Sequence, residues 1–94
     1  MLFAITCIDK PGHAEVRAAN RAAHLEVLKG LGDRLILGGP LLSDDGQAMQ
    51  GSLLVIDFPD RAAAQAFCQQ DPYAKAGLFQ QVVIRAFRKV LPQG

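Results

Sequence analysis

LFAITCI, residues 2–8, is apolar at every position but Thr6. A strand with one face in water alternates oily and polar residues, whereas a strand covered on both sides does not. Both alternating sets are oily here, so the segment reads as a strand buried on both faces. SLLVIDF (52–58) repeats the pattern, broken only by Ser52 and Asp57. Working outward, DKPGH (9–13) is a turn. The helical period then holds from about Ala14 to Leu31, where Gly30 and Gly32 supply stop signals. RLILG (34–38) is a second strand closed by GGP (38–40), and LLSDDGQAMQG (41–51) is the loop of a hairpin connection to 52–58. Pro59-Asp60 opens a helix with Asp60 as N-cap and Ala62, Ala63, Ala66 and Phe67 facing inward. DPYAKAG (71–77) adds a helical turn with Asp71 capping and Pro72 at its first position, and QVVIRAFRKVL (81–91) is the last strand.

The order is β-α-β-β-α-β, which predicts an α+β fold of the ferredoxin-like type. Four antiparallel strands carry two helices on one face, in a single domain spanning residues 1–94. The second face of such a sheet needs its own cover. At about 25 cal/mol per Å² of apolar surface, even a modest bare patch drives association. The simplest cover is the same face of a second copy, a two-fold homodimer.

Composition narrows the partners. A formal charge of +1 leaves no electrostatic footprint for nucleic acid. No apolar run is long enough for a membrane span, and MLFAITCID reads as a first strand rather than a leader peptide. Cys7 and Cys68 lack paired spacing and sit among apolar residues, as thiols of a reducing, cytoplasmic setting do. Together with His13 and His24 they show no metal-ligand spacing.

The first helix carries an anomaly in RAANRAAHLEVL (17–28). With about 100° per residue, Ala23, Val27, Leu28 and Leu31 mark an apolar arc, and His24 points into its middle. Arg17, Asn20 and Arg21 continue the same ridge one and two turns earlier. A sealed core does not tolerate four such side chains cheaply, so the ridge is expected to border a pocket. His24 is either a hydrogen-bonded core residue or a proton-transfer group in that pocket, imidazole being the side chain whose ordinary pKa lies near neutrality. Asp71 is either a helix cap alone or a cap that also orients His24. Arg21 pairs with an anionic or enolic oxygen or is a solvated helix charge. Ser52 points a hydroxyl inward or merely ends a turn, and no nucleophile elbow surrounds it. Gly39, within Gly38-Gly39-Pro40, lets backbone approach a ligand. Tyr73 walls the pocket or packs on the helix. His13 belongs to the exposed first turn.

RAAHLEVL (21–28), GGP (38–40), GS (51–52) and DPY (71–73), in this order over nearly the whole chain, resemble the YciI-like (YCII-related) proteins. The resemblance implies a dimeric α/β barrel of two ferredoxin-like protomers. It also implies an active site centred on a histidine and an aspartate, matched by His24 and Asp71. That family is similar in architecture to muconolactone isomerase and includes a dehydrochlorinase of chlorinated hydroxyhydroquinone. One departure is Ala22, where the family often has proline.

The resulting expectation is an isomerase- or lyase-type enzyme with no cofactor and no metal, acting on a small cyclic or aromatic hydroxy compound or lactone. His24 and Asp71 form its catalytic pair, and Arg21, Ser52, Tyr73 and Gly39 bind substrate. The competing expectation is a non-catalytic module that binds a small ligand in the same pocket. Catalysis by an imidazole gives a pH–rate limb, whereas simple recognition does not require one.

Overall fold

The computed structural model describes residues 1–93. Its elements are β1 (Leu2–Asp9), α1 (Ala14–Lys29), β2 (Leu35–Leu42), β3 (Met49–Asp57), α2 (Arg61–Gln70), α3 (Pro72–Lys75) and β4 (Phe79–Phe87). A 3₁₀ turn at Gly32–Arg34 joins α1 to β2. All strand pairs are antiparallel, in the order β2-β3-β1-β4. This is the ferredoxin-like α+β architecture expected from the element order, with the two most apolar strands, β1 and β3, at its centre. Among the described residues no helix is long and apolar enough to cross a membrane.

The register assigns each strand residue to a face. Phe3, Ile5 and Cys7 of β1 stand beside Ile56, Leu54 and Ser52 of β3. The apolar members of this set form the core with Leu28 of α1, Phe58, and Ala64 of α2. The opposite face carries Leu2, Ala4, Leu53, Val55 and Val83, all at least partly covered by their neighbours. At its margins Ile8, Leu37 and Phe87 are 41%, 49% and 44% exposed. A hydrocarbon face this continuous is the physical consequence of strands that are oily on both sides.

Several boundaries and faces depart from the sequence reading. β2 does not stop at Gly38 but runs through Gly39-Pro40 to Leu42, and only Ser43–Ala48 loops out. Pro40 is tolerated because β2 is an edge strand, where a missing N–H breaks no ladder. β4 covers Phe79–Phe87 rather than 81–91, because its partner β1 extends from Asp9, opposite Phe79, to Leu2, opposite Phe87. Val90, lacking a partner strand, is 68% exposed. In α2 the inward residues are Ala63, Ala64, Phe67 and Cys68, while Ala62 and Ala66 face water. An alanine run carries no phase of its own, and the Asp60 cap on the Ala63 N–H, at 2.8 Å, starts the helix in this one. In α1 the buried residues are Arg17, His24 and Leu28, whereas Ala23 and Val27 are exposed. The helix thus turns Arg17 and His24 of its polar ridge inward and leaves Arg21 in water.

Candidate active site

Asp71 sits at the junction of α2 and α3 and is the N-cap of the latter. Its Oδ1 accepts the backbone N–H of Tyr73 at 2.9 Å. The same oxygen lies 3.0 Å from Nδ1 of His24. Asp71 and His24 are 3% and 5% exposed, so the contact is shielded from water. A carboxylate only accepts, so Nδ1 carries the proton and Nε2 is left to exchange one. One short side chain therefore fills both roles that the sequence left open for it.

Tyr73 follows from the same cap. Its ring stacks on the His24 imidazole with centroids 4.1 Å apart and planes 19° from parallel. The Arg17 guanidinium lies 4.5 Å from the Tyr73 centroid, within cation–π range. Arg17 is held by Asp9 through two bonds, Nε to Oδ2 at 2.7 Å and Nη2 to Oδ1 at 3.0 Å. Nη2 also donates to Ser52 Oγ at 3.0 Å. Because guanidinium never accepts, the Ser52 hydroxyl must accept this bond and keeps its own proton to donate. Burial is the largest single influence on Arg17 and opposes its charge, but the hydrogen bonds and charge of Asp9 together with Tyr73 outweigh it, and the guanidinium pKa is raised. Burial likewise raises the Tyr73 phenol.

A cavity of about 60 Å³ opens beside this cluster, between α1 and the β2–β3 pair. His24, Arg21, Ser52, Gly39 and Arg17 contribute to its wall. Arg21 is exposed and enters no ion pair among the described residues, which leaves one uncompensated cation at the mouth. Gly39 contributes backbone, and a Cβ built on it would meet open space. A side chain at Gly38 would stand 3.0 Å from Leu54 Cδ2. Asn20 turns back onto its own helix, Nδ2 donating to Val16 O at 2.9 Å. His13 also lies apart, its Nδ1 2.9 Å from Pro11 O.

The geometry thus brings His24, Ser52, Arg21 and Gly39 to the cavity wall, whereas Asp71 and Tyr73 are buried behind His24 and touch its ring without lining the cavity. It adds two residues that the sequence reading did not place in the site, Asp9 and Arg17. Arg17 was visible as part of the polar ridge, and its position two turns before His24 on the buried stripe is the signal that could have promoted it. Asp9, inside a turn sequence, gave none.

These features define a class: a small ferredoxin-like domain with a buried histidine–aspartate pair at the edge of a cavity. Residues 1–88 match the YCII-related domain model. The chain is 38% identical to Protein YciI of Escherichia coli O6:H1, over 96% of this chain and 99% of that one. It is 34% identical, with the same coverage, to an uncharacterized protein of Haemophilus influenzae. Among solved structures it is similar to 5-chloro-2-hydroxyhydroquinone dehydrochlorinase from Burkholderia phenoliruptrix AC1100, in complex with 2,5-dihydroxybenzoquinone. That likeness has a TM-score of 0.89 and 34% identity over the full length of both chains. The chain belongs to the YCII-related family.

Proposed function

We propose that this protein is a cofactor-independent acid–base enzyme of the isomerase or lyase type, acting on a small cyclic or aromatic hydroxy compound or lactone. The observation that carries the reading is the 3.0 Å contact between Nδ1 of His24, which lines the cavity, and Oδ1 of the buried Asp71 behind it. His24 Nε2 takes a proton from a ring hydroxyl or from carbon beside a carbonyl, and the freed electron pair moves into the ring. In an elimination the pair expels the leaving group as its anion and His24 then releases the proton to water; in an isomerisation His24 returns the proton at another atom. Asp71 fixes the tautomer and stabilises the imidazolium that forms between the two steps. Ser52 O–H and the Arg21 guanidinium receive the oxygen on which charge gathers. Tyr73 holds the imidazole plane, and the Gly39 backbone leaves the ligand room.

The dehydrochlorinase likeness supports the reaction class, since its named substrate is a hydroxylated ring that loses chloride. A second copy of the chain covers the open sheet face, a reading supported by the apolar residues exposed along it. The two free thiols, Cys7 and Cys68, fit a reducing cytoplasm.

The test is turnover of 5-chloro-2-hydroxyhydroquinone and unchlorinated hydroxyquinols by wild type, His24→Gln and Asp71→Asn. Loss of a general base lowers kcat by about 10²–10⁴-fold. Folded variants that keep full turnover refute the assignment of roles. Tight binding without turnover, unaffected by pH, leaves the recognition module instead.

A further inference from the structure

The cavity beside His24 is too small for the ligands its chemistry suits. Its volume of about 60 Å³ holds about two water molecules. A benzene ring needs a cavity of about 150 Å³. A second cavity of about 420 Å³ lies next to it, lined in part by Lys10, Gln50 and Gln80. Met49 is the one residue common to both walls.

We propose that the Met49 side chain is a movable partition between the two cavities, and that it decides which ligands reach His24. When it swings aside the two spaces join. The reacting ring then occupies the inner one, against His24 and Ser52, and ring substituents extend into the outer one. This inference rests on reading the His24 cavity as the reaction site.

Three features suit Met49 to that work. Its backbone is fixed: Met49 pairs with Leu42 at the mouth of the β2–β3 hairpin. The six-residue turn is closed by Ser43 N–H to Ala48 O at 2.9 Å and by Ala48 N–H to Ser43 Oγ at 3.0 Å. Met49 is 41% exposed, so swinging its side chain away sacrifices little packing. Methionine is unbranched with three rotatable bonds and adapts to irregular spaces. The outer cavity is polar enough to accept substituents: Lys10 forms no ion pair among the described residues, and Gln50 and Gln80 offer amides. The Asp9 carboxylate on the same wall is already neutralised by Arg17, so the preferred substituents are oxygenated or anionic.

The chain holds only two histidines, which permits a ligand-independent test. Diethyl pyrocarbonate is reacted at pH 7 with wild type, Met49→Ala and Met49→Phe, and modification of His24 relative to the same peptide in the urea-unfolded protein is followed by peptide mass spectrometry, since His13 shares the outer cavity wall with Met49. Trimming the partition raises that ratio by about fivefold or more, and a stiff ring lowers it, because reaction tracks the open population. In parallel, 2,5-dihydroxybenzoquinone and its 3-carboxymethyl derivative are titrated. Met49→Phe weakens the substituted compound by about tenfold relative to the parent, a contrast in the range single pocket groups produce. His24 reactivity within twofold of wild type in both Met49 variants overturns the partition. Failure of the quinones to bind, or binding and turnover indifferent to His24→Gln, instead overturns the reaction-site reading and leaves the reactivity result to decide the partition.

Discussion

The Asp9–Arg17 pair yields the sharpest quantitative expectation. Its side chains are 8% and 6% exposed, and the guanidinium makes two bonds to the carboxylate and a third to Ser52. Removing one member of such a pair strands a charge away from water, which costs about 3–5 kcal/mol. For a domain of this size each kcal/mol moves Tm by about 4–8 °C. Arg17→Met, which keeps the stem and discards the charge, is therefore expected to lower Tm by at least about 12 °C. Asp9→Leu strands the guanidinium and has a similar effect. The double variant has no buried charge to strand and is expected to lose about 3 kcal/mol rather than about 6. The resulting coupling of about 3 kcal/mol lies at the upper end for contacting residues. What remains lost is the Ser52 bond, the Tyr73 contact and imperfect packing. Urea unfolding followed by circular dichroism at one fixed protein concentration measures all four species. Additive singles of less than about 1 kcal/mol each would show that water reaches the pair and would remove the electrostatic account of how Ser52 is oriented.

Other positions give briefer expectations. A Cβ at Gly51 overlaps the Cys7 carbonyl oxygen, so Gly51→Ala is expected to destabilise by about 3 kcal/mol. Gly39→Ala, facing open space, should stay within about 0.5 kcal/mol, both read from urea midpoints. Burial pushes the Cys7 thiol up to about 12 and the Cys68 thiol up to about 11. Because both folded values lie above the unfolded thiol near about 8.5, their contribution is complete below that pH. It is lost as pH rises through about 11 to 12, so stability should decline on the alkaline side, less so in a Cys7→Ala/Cys68→Ala variant. Leu37→Glu with Phe87→Glu places charge on the open sheet face, where exposures are 49% and 44%. Sedimentation velocity should report a smaller species than wild type, and an unchanged sedimentation coefficient rejects that face as the contact between copies.

The legible part of this fold is the part with a local, repeating signal. The oily strands 2–8 and 52–58 announced the centre of the sheet, and Asp60 and Asp-Pro at 71–72 announced the helix starts. Where the signal is weak or acts at a distance, sequence and structure part. Gly-Gly-Pro looks like a strand end, yet it pairs with Leu54, Leu53 and Ser52, because edge position rather than composition decides whether a proline is tolerated. Ala62 and Ala66 face water although the sequence predicts them inward, because alanine carries too little side chain to declare a phase. The same division runs through the site. His24 was conspicuous because it interrupted an apolar arc, a contrast visible within one turn of helix. Asp9 was invisible because nothing near it is unusual: it matters only because β1 ends beside α1 and a bulge after Ile8 shifts the pairing there. Met49 is subtler still, an ordinary methionine at a hairpin mouth that becomes notable once two cavities share it. A residue that breaks its own periodicity can be found from sequence, while one that completes a partner folded in from elsewhere has to wait for the structure. The buried Arg17 joins the two cases. It breaks the helical pattern, and the acid that makes its burial tolerable lies across a turn, so the anomaly was readable and its resolution was not.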